Sequence, residues 1–428
     1  MVVSAEENWL EQRKKFNIRP GLVRIKALLA MLGSPQLAYP TIHVAGTNGK
    51  GSTVVFTRSI LQAHQLKVGT FTSPAIRDFT EQIMINGQPI SLNALQQQIT
   101  KIRPLVEQLD KDPLTEGTTL FEITTAIAFQ YFLDQAVDLA IIEVGMGGLE
   151  DSTNVLTPVV TAITTIGLDH VPILGKDLPA IARQKAGIIK ASADLVTGNI
   201  GPTAMEVIDA TAQKVGVMQY RWQTDYQVLP AVDGSFTFQN NNQTLAGLRS
   251  GLAGHYQLEN AGLALEVAFI YAKKQKLTLD ATKIRQALLE VEWPARMEMI
   301  SKKPLVILDG AHNVPAMERL IENIKKDYTN QQITIIFSAI ITKDIASMLG
   351  LLAQLPQVQI IITTFDDQRA LNLADYQYLS ADNVHLVADW QALVKALLLE
   401  PNRKEMTIIT GSLYFISHVR KLFIPAEQ

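Results

Sequence analysis

The sequence of 428 residues contains no cysteine, which excludes disulfides, thiolate metal sites and a cysteine nucleophile together. Positive charge is not in excess either: 38 Lys and Arg stand against 41 Asp and Glu, with no basic stripe, so no nucleic-acid partner is expected. Long hydrophobic runs are missing. Residues 27–32 form one of the longest and fall far short of a bilayer span, so no membrane partner is expected. Residues 1–15 are polar and of mixed charge, without the apolar core of a signal peptide. These absences predict a soluble, cytoplasmic protein. Apolar residues are plentiful at 47%, enough for well-packed cores, and the length predicts two domains.

Residues 22–32 carry apolar side chains at helical spacing and stop at Gly33. Residues 41–45 read as a strand, 51–64 as a helix and 67–71 as a second strand, with a glycine loop at the first turn. Leu120, Ile123, Ile127 and Tyr131 mark an amphipathic helix. The runs 139–144 and 159–164 read as strands buried on both faces, as in a parallel sheet. Asp233-Gly234 between two β-rich runs signals a hairpin, hence a small antiparallel patch over residues 226–245. From residue 304 onward, strand candidates 305–308, 333–337, 359–363, 384–387 and 406–410 alternate with helical stretches around 317–326, 345–354 and 390–399. Proline in Trp293-Pro294-Ala295 breaks the chain between the two series. The expectation is two α/β domains with a cleft between them. Residues 1–295 would form a P-loop ATPase-like domain with a mostly parallel sheet, and 296–428 a Rossmann-like, doubly wound domain.

The turn Gly46-Thr47-Asn48-Gly49-Lys50-Gly51-Ser52 has the chemistry of a phosphate cradle. Converging backbone N–H groups need a closely approaching loop with positive φ, which glycine allows. Lys50 adds a cation for the β- and γ-phosphates, and Ser52 opens the helix where its hydroxyl can reach Mg²⁺. Gly51 intervenes between Lys50 and Ser52, so this is a variant of the usual pattern. The bland alternative is a glycine-rich turn with a solvated lysine. Glu143 ends a buried strand, where a carboxylate faces the ligand crevice of a parallel sheet and suits a hard cation. The bland alternative is a strand-end salt-bridge partner. From the residues alone His170 is a loop histidine and Lys185 a surface lysine.

Several motifs, taken together, are more specific. Residues 44–52, Thr72-Ser73-Pro74, Glu143-Val144-Gly145-Met146-Gly147-Gly148, Asp151-Ser152-Thr153-Asn154 and Gly167-Leu168-Asp169-His170 stand in one order along the chain. They continue with residues 185–190, Asp309-Gly310-Ala311-His312-Asn313 and Thr410-Gly411-Ser412. In this order the chain resembles the folylpolyglutamate synthase family, within the wider Mur-ligase group. The resemblance implies a central ATP-binding domain over 1–295 and a glutamate-binding domain over 296–428. It implies that ATP phosphorylates a carboxylate of a reduced folate, and that L-glutamate displaces the phosphate to form an amide.

Carried over by position, Thr47, Asn48, Gly49, Lys50, Gly51 and Ser52 would hold the phosphates. Ser73, Glu143 and His170 would be Mg²⁺ ligands for two ions. Lys185 would carry a carboxylated side-chain nitrogen. Asn260 would contact adenine, and Arg296 and Asp309 would reach the nucleotide. Phe121 and Asp151 would take the folate end; His312, Lys343 and Ser412 would take glutamate. Catalysis would rest on Lys50, Glu143, His170, Lys185 and His312, in a monomer. Residue by residue, Ser412 reads also as a helix N-cap, Asp309 as an N-cap, Arg296 as an interdomain ion pair and Phe121 as core.

Ala75, Gln82, Leu149, Gln184, Tyr256 and Thr342 depart from the commonest family residues. None is a proposed phosphate or metal ligand, so they bear on acceptor choice. Dihydropteroate therefore stands beside folate as an alternative acceptor, in a bifunctional enzyme. A peptidoglycan ligase would need room before the phosphate loop for a further domain. A nucleotide-dependent switch without ligase chemistry is the reading from another class.

Overall fold

Central strand Thr41–Ala45 (β1) is buried along its whole length, because parallel neighbours cover both edges and helices cover both faces. Around it run Val68–Phe71 (β2), Ile83–Ile85 (β3), Gln88–Pro89 (β4), Leu139–Glu143 (β5), Val160–Ile163 (β6), Asp194–Thr197 (β7) and Gln219–Arg221 (β8). They form an eight-stranded sheet in the order β4-β3-β2-β5-β1-β6-β7-β8. All pairs from β2 to β8 are parallel, and β3 and β4 extend one edge antiparallel. This computed structural model describes residues 5–16, 19–329, 331–356, 358–379, 383–401 and 403–423. Of the polar N-terminal stretch, residues 1–4 lie outside the described residues.

The chain leaves β1 toward β2 on one side, then jumps across β1 in passing from β5 to β6. Strand order therefore reverses at β1, and ligands of such sheets bind at the carboxyl ends of the strands beside that reversal. The four strands expected from sequence are present. Strands β3, β4, β7 and β8 were not read, being only two to four residues long.

Helix Leu120–Asp134 differs from its amphipathic expectation. It is buried on nearly all sides, its Thr124 and Thr125 hydroxyls donating back to Leu120 O and Phe121 O at 2.8 and 2.7 Å. Polar groups within the helix are thus satisfied locally, which lets it pack between the sheet and the helices Val23–Met31 and Leu92–Leu109. Its start is pinned by a capping box between Thr119 and Glu122, worth about 1 kcal/mol. Glu122 also takes Arg24 Nε at 3.0 Å, an ion pair shielded from solvent. Phe121 lies in this first turn, directly before Glu122.

The Asp233-Gly234 turn does form a hairpin. Tyr226–Pro230 (β9), Phe236–Asn240 (β10) and Thr244–Leu248 (β11) pair antiparallel in the order β11-β10-β9. Phe238 of β10 stacks on Phe269 of helix His255–Gln275 with ring centres 5.8 Å apart.

The second sheet contains Glu298–Lys302 (β12), Leu305–Leu308 (β13), Ile333–Phe337 (β14), Val358–Thr363 (β15), Val384–Val387 (β16) and Met406–Thr410 (β17), in the order β12-β13-β17-β14-β15-β16. The five strands expected from sequence are parallel; β12 is an added antiparallel edge. Its polar Glu298, Ser301 and Lys302 disguised it as linker, which is how edge strands commonly read. The chain advances through β14, β15 and β16 and returns with β17 between β13 and β14, with helical segments connecting the parallel strands.

By packing, the described residues form two units. One takes residues up to Ile166, Lys176–Ser250 and Leu258–Val291; the other takes Gly167–Gly175, Gly251–Gln257 and the chain from Glu292. No helix among the described residues is long and apolar enough to cross a membrane.

Candidate active site

In the first unit the carboxyl ends of β1, β2, β5 and β6 bring four segments together. Gly46 has φ +153°, and a Cβ there would stand 1.8 Å from Thr164 Oγ1, so the loop leaves β1 in contact with the end of β6. Thr47 N donates to Thr165 O at 2.8 Å, and Asn48 N to Thr165 Oγ1 at 3.0 Å. The Thr164 hydroxyl donates to Asn48 O at 2.5 Å. Gly49 sits at φ +86° as the N-cap of helix Lys50–Ala63, with Asn260 packed against it. Asn260 and residues Thr47–Ser52 are therefore neighbours.

The Lys50 ammonium donates to Gly46 O at 3.1 Å and Thr47 O at 3.3 Å, and lies 3.8 Å from Glu143 Oε1. Lys185, at 4% exposure, donates to the same Gly46 O at 2.9 Å. Lys185 is thus no surface residue, and two ammonium groups converge on one carbonyl beside one carboxylate. Glu143, at the end of β5, also accepts from Ser73 N at 3.4 Å. The structure brings Lys50, Ser73, Glu143 and Lys185 together. The Ser52 hydroxyl is buried and has no hydrogen-bond partner among the described residues. An orphaned hydroxyl in the first turn of the helix that follows the loop is the kind of hard-oxygen donor that suits Mg²⁺. Among the described residues no three His, Asp or Glu side chains gather in a metal cluster, so such a set would lean on hydroxyls and on Lys185.

The turn after Glu143 leads to Phe121 and Asp151. A Cβ on Gly145 would meet Phe121 Cζ at 2.4 Å and Asp151 Oδ2 at 3.1 Å. Phe121 stacks on Phe71, ring centres 5.7 Å apart. Asp151 accepts from Met146 N at 2.7 Å and from Thr153 N and Oγ1 at 3.0 and 2.6 Å; burial pushes its carboxyl up.

The second unit assembles its own polar cluster around Asp169, the residue before His170. Asp169 accepts from Lys343 Nζ at 2.5 Å and Asn313 Nδ2 at 2.9 Å, and stands 3.8 Å from His312 Nε2. Burial raises its carboxyl, but Lys343, His170 and His312 outweigh that and hold it below the usual range. His170 belongs to the same segment, in a left-handed turn, and its ring lies 3.8 Å from Asp169. The Ser412 turn is tied to the His312 turn through Gly411 N, which donates to Ala311 O at 3.0 Å. Ser412 Oγ accepts from Tyr414 N at 3.2 Å, the N-cap geometry, which leaves its proton for another partner. His312, Lys343 and Ser412 are therefore brought into one neighbourhood.

Asp309 is not a helix N-cap; Asn313 fills that place for Val314–Asp327. Its carboxylate accepts from Met297 N, Ala311 N and Tyr256 Oη at 3.1, 3.0 and 3.2 Å, and burial pushes its pKa up. Arg296 lies against Gly310 and donates to Ala295 O at 3.2 Å.

His312 Nδ1 donates to Gly310 O at 2.8 Å. Burial, with the Lys343 charge, pushes the imidazole from 6.5 down to about 4. The unfolded chain binds this proton more readily, so the contribution is whole above about pH 6.5 and is lost as pH falls toward about 4. Urea unfolding midpoints should decline over that window more steeply in the wild type than in His312→Asn. Parallel pH curves would show that the imidazole plays no part.

The contributors that sequence reasoning missed are Asp169 and the Thr164–Thr165 pair. Asp169 had a signal in its place before His170 at a strand end; the threonines had none.

Two family descriptions match: "Mur ligase middle domain" over residues 44–268 and "Mur ligase, glutamate ligase domain" over 295–413. The dihydrofolate synthase/folylpolyglutamate synthase of Bacillus subtilis is 38% identical over 421 residues, 97% of each chain. The chain belongs to the folylpolyglutamate synthase family of Mur ligases. As a member it is an ATP-dependent ligase. The folylpolyglutamate synthase of Lacticaseibacillus casei is 38% identical, over 95% of each chain. Among solved structures, the Mycobacterium tuberculosis folylpolyglutamate synthase complexed with ADP aligns with TM-score 0.88 at 31% identity, covering 99% of this chain and 98% of that one. A folylpolyglutamate synthase complex with AMPPCP and folate aligns with TM-score 0.86 at 35% identity, covering 98% and 100%. The family's two α/β domains correspond to the two sheets described above, and the nucleotide complexes agree with ATP binding.

Proposed function

We propose that the protein joins L-glutamate to the γ-carboxylate of a reduced folate. A carboxylate oxygen of the folate attacks the γ-phosphorus of ATP, giving an acyl phosphate and ADP. The glutamate amine, after losing a proton, attacks the acyl carbon. The tetrahedral intermediate expels inorganic phosphate and leaves the amide. Most of the catalytic contribution is positioning and neutralisation of charge.

The observation that supports this reading is one neighbourhood holding the Lys50 loop, Glu143 and Lys185 next to the Gly145 turn flanked by Phe121 and Asp151. Thr47, Asn48, Gly49, Lys50, Gly51 and Ser52 would take the phosphates, Asn260 the base, and Arg296 and Asp309 the rest of the nucleotide. Phe121 offers a face for a flat ring and Asp151 an acceptor for its donor edge. His312, Lys343 and Ser412 would take glutamate on the 296–428 domain, and residues 1–295 would carry ATP.

Mg²⁺, held by a donor set of Ser52, Ser73, Glu143 and Lys185, would supply charge neutralisation at the phosphates. Lys185 suits such a place once its neutral amine has added CO₂, because the carbamate is an oxygen donor and relieves the crowding of two ammonium groups. The enzyme would act as a cytoplasmic monomer.

The Bacillus subtilis relative carries both activities in its name, which favours a second acceptor: dihydropteroate, activated at its own carboxylate by the same steps. Phosphate release should be measured with ATP, Mg²⁺ and glutamate against tetrahydrofolate and against dihydropteroate, with and without bicarbonate. Turnover with both acceptors establishes the bifunctional enzyme; turnover on dihydropteroate alone sinks the first reading. Nucleotide binding without glutamate-dependent turnover would remove the proposed ligation. Rates indifferent to removal of CO₂ would argue against the carbamate.

A further inference from the structure

His43 lies in the middle of β1 with no exposed surface, and nothing in the chemistry above uses it. A buried imidazole costs free energy unless its polar atoms are engaged. Its Nε2 stands 2.9 Å from the Thr153 hydroxyl, while Nδ1 has no hydrogen-bond partner among the described residues. The Thr153 hydroxyl is itself 2.6 Å from Asp151 Oδ1. A carboxylate can only accept, so Thr153 donates its single proton to Asp151 and must receive from His43. That order sets the tautomer: the proton is on Nε2, and Nδ1 keeps its lone pair.

The chain of donors ends at the loop that follows Glu143. Asp151 Oδ2 accepts from Met146 N at 2.7 Å and lies 3.1 Å from where a Cβ on Gly145 would stand. The Phe121 ring, 2.4 Å from the same point, is what leaves no room there for a side chain. Burial, with the charge of Lys190, pushes the His43 imidazole down to about 3, in keeping with the neutral form that this order requires.

We propose that His43 and Thr153 are positioning residues for the acceptor end of the site. The sequence of donors from His43 Nε2 through Thr153 Oγ1 holds the Asp151 carboxylate against the Gly145–Met146 turn, and so sets the spacing between Asp151 and Phe121. This rests on the reading of Phe121 and Asp151 as the folate end. Thr153 keeps the same shape in Thr153→Val but loses its relay of the proton, and Thr153→Ser keeps the relay. In the same way His43→Gln retains a donor near the Nε2 position that His43→Leu removes.

The test is steady-state kinetics with tetrahydrofolate and with dihydropteroate, the KM for ATP measured in parallel, and thermal unfolding as a check on the fold. Thr153→Val and His43→Leu should raise the acceptor KM about tenfold with the ATP KM within about twofold, and Thr153→Ser and His43→Gln should restore it. Thr153→Val is near-isosteric, so it stands as the test if His43→Leu does not fold. An acceptor KM unchanged in Thr153→Val overturns the proposal, and so does an equal rise in both KM values. Phe121→Ala separates the two readings. If it raises the acceptor KM while Thr153→Val does not, the relay alone is wrong; if neither has an effect, the folate end lies elsewhere.

Discussion

Replacing Glu143 by alanine should lower kcat by about a thousandfold, roughly 4 kcal/mol of barrier at about 1.4 kcal/mol per tenfold. Glu143 is 4% exposed at the end of β5, and its carboxylate faces Lys50 at 3.8 Å while accepting from Ser73 N at 3.4 Å. Lys50 and Lys185 both donate to Gly46 O, at 3.1 and 2.9 Å, so two positive charges crowd one carbonyl. Removing the carboxylate takes away, in a place of low dielectric, the partner of Lys50 and the one proposed metal ligand that is an acid without modification. Glu143→Gln should lose nearly as much, because it preserves shape but not charge. The measurement is glutamate-dependent phosphate release at saturating ATP. Turnover of Glu143→Ala within about tenfold of wild type would take the residue out of the reaction centre.

Gly49→Ala should raise the KM for ATP and reduce kcat/KM by about a hundredfold or more. Two costs add here. At φ +86° an L-residue gives up about 1–2 kcal/mol of backbone energy. The new methyl would also stand 2.4 Å from Asn260 Oδ1, so either the loop or the asparagine must move. Both belong to the proposed nucleotide site, so the damage should fall on ATP rather than on the acceptor. Gly33→Ala is the control, since Gly33 has φ +81° with open space around it. It should lower the unfolding temperature and leave the KM for ATP alone. If Gly49→Ala behaves like Gly33→Ala, the loop does not grip phosphate in this conformation.

Local chemistry was legible in the sequence. The glycine loop announced itself because positive φ, a lysine and a helix start fall within seven consecutive positions. Strands β5, β14 and β17 were legible because a strand buried on both faces leaves a largely apolar run. Short or polar strands were not: β4 has two residues, and β12 is an edge whose solvent-facing side chains erase the pattern. Helix Leu120–Asp134 was found but misjudged as one-faced, since threonines that hydrogen-bond their own backbone read as polar yet sit buried. Asp309 was judged in the same local terms. Its partners, Met297, Ala311 and Tyr256, include one that is 53 residues away, so it serves as a knot rather than a cap.

By itself the sequence determined the two α/β layers, the phosphate loop and, through the order of its motifs, the family. Those depend on residues close together along the chain, where periodicity and turn chemistry act directly. Only the tertiary structure decided that Lys185 is buried against a carbonyl 139 residues earlier in the chain. It also decided that Asp169 gathers Lys343 from 174 residues further on, and that His43 reaches Asp151 through a threonine 110 residues away. Such bonds leave no periodic trace, because the direction of a buried hydrogen bond is set by how sheets and loops pack and not by the neighbours of either residue.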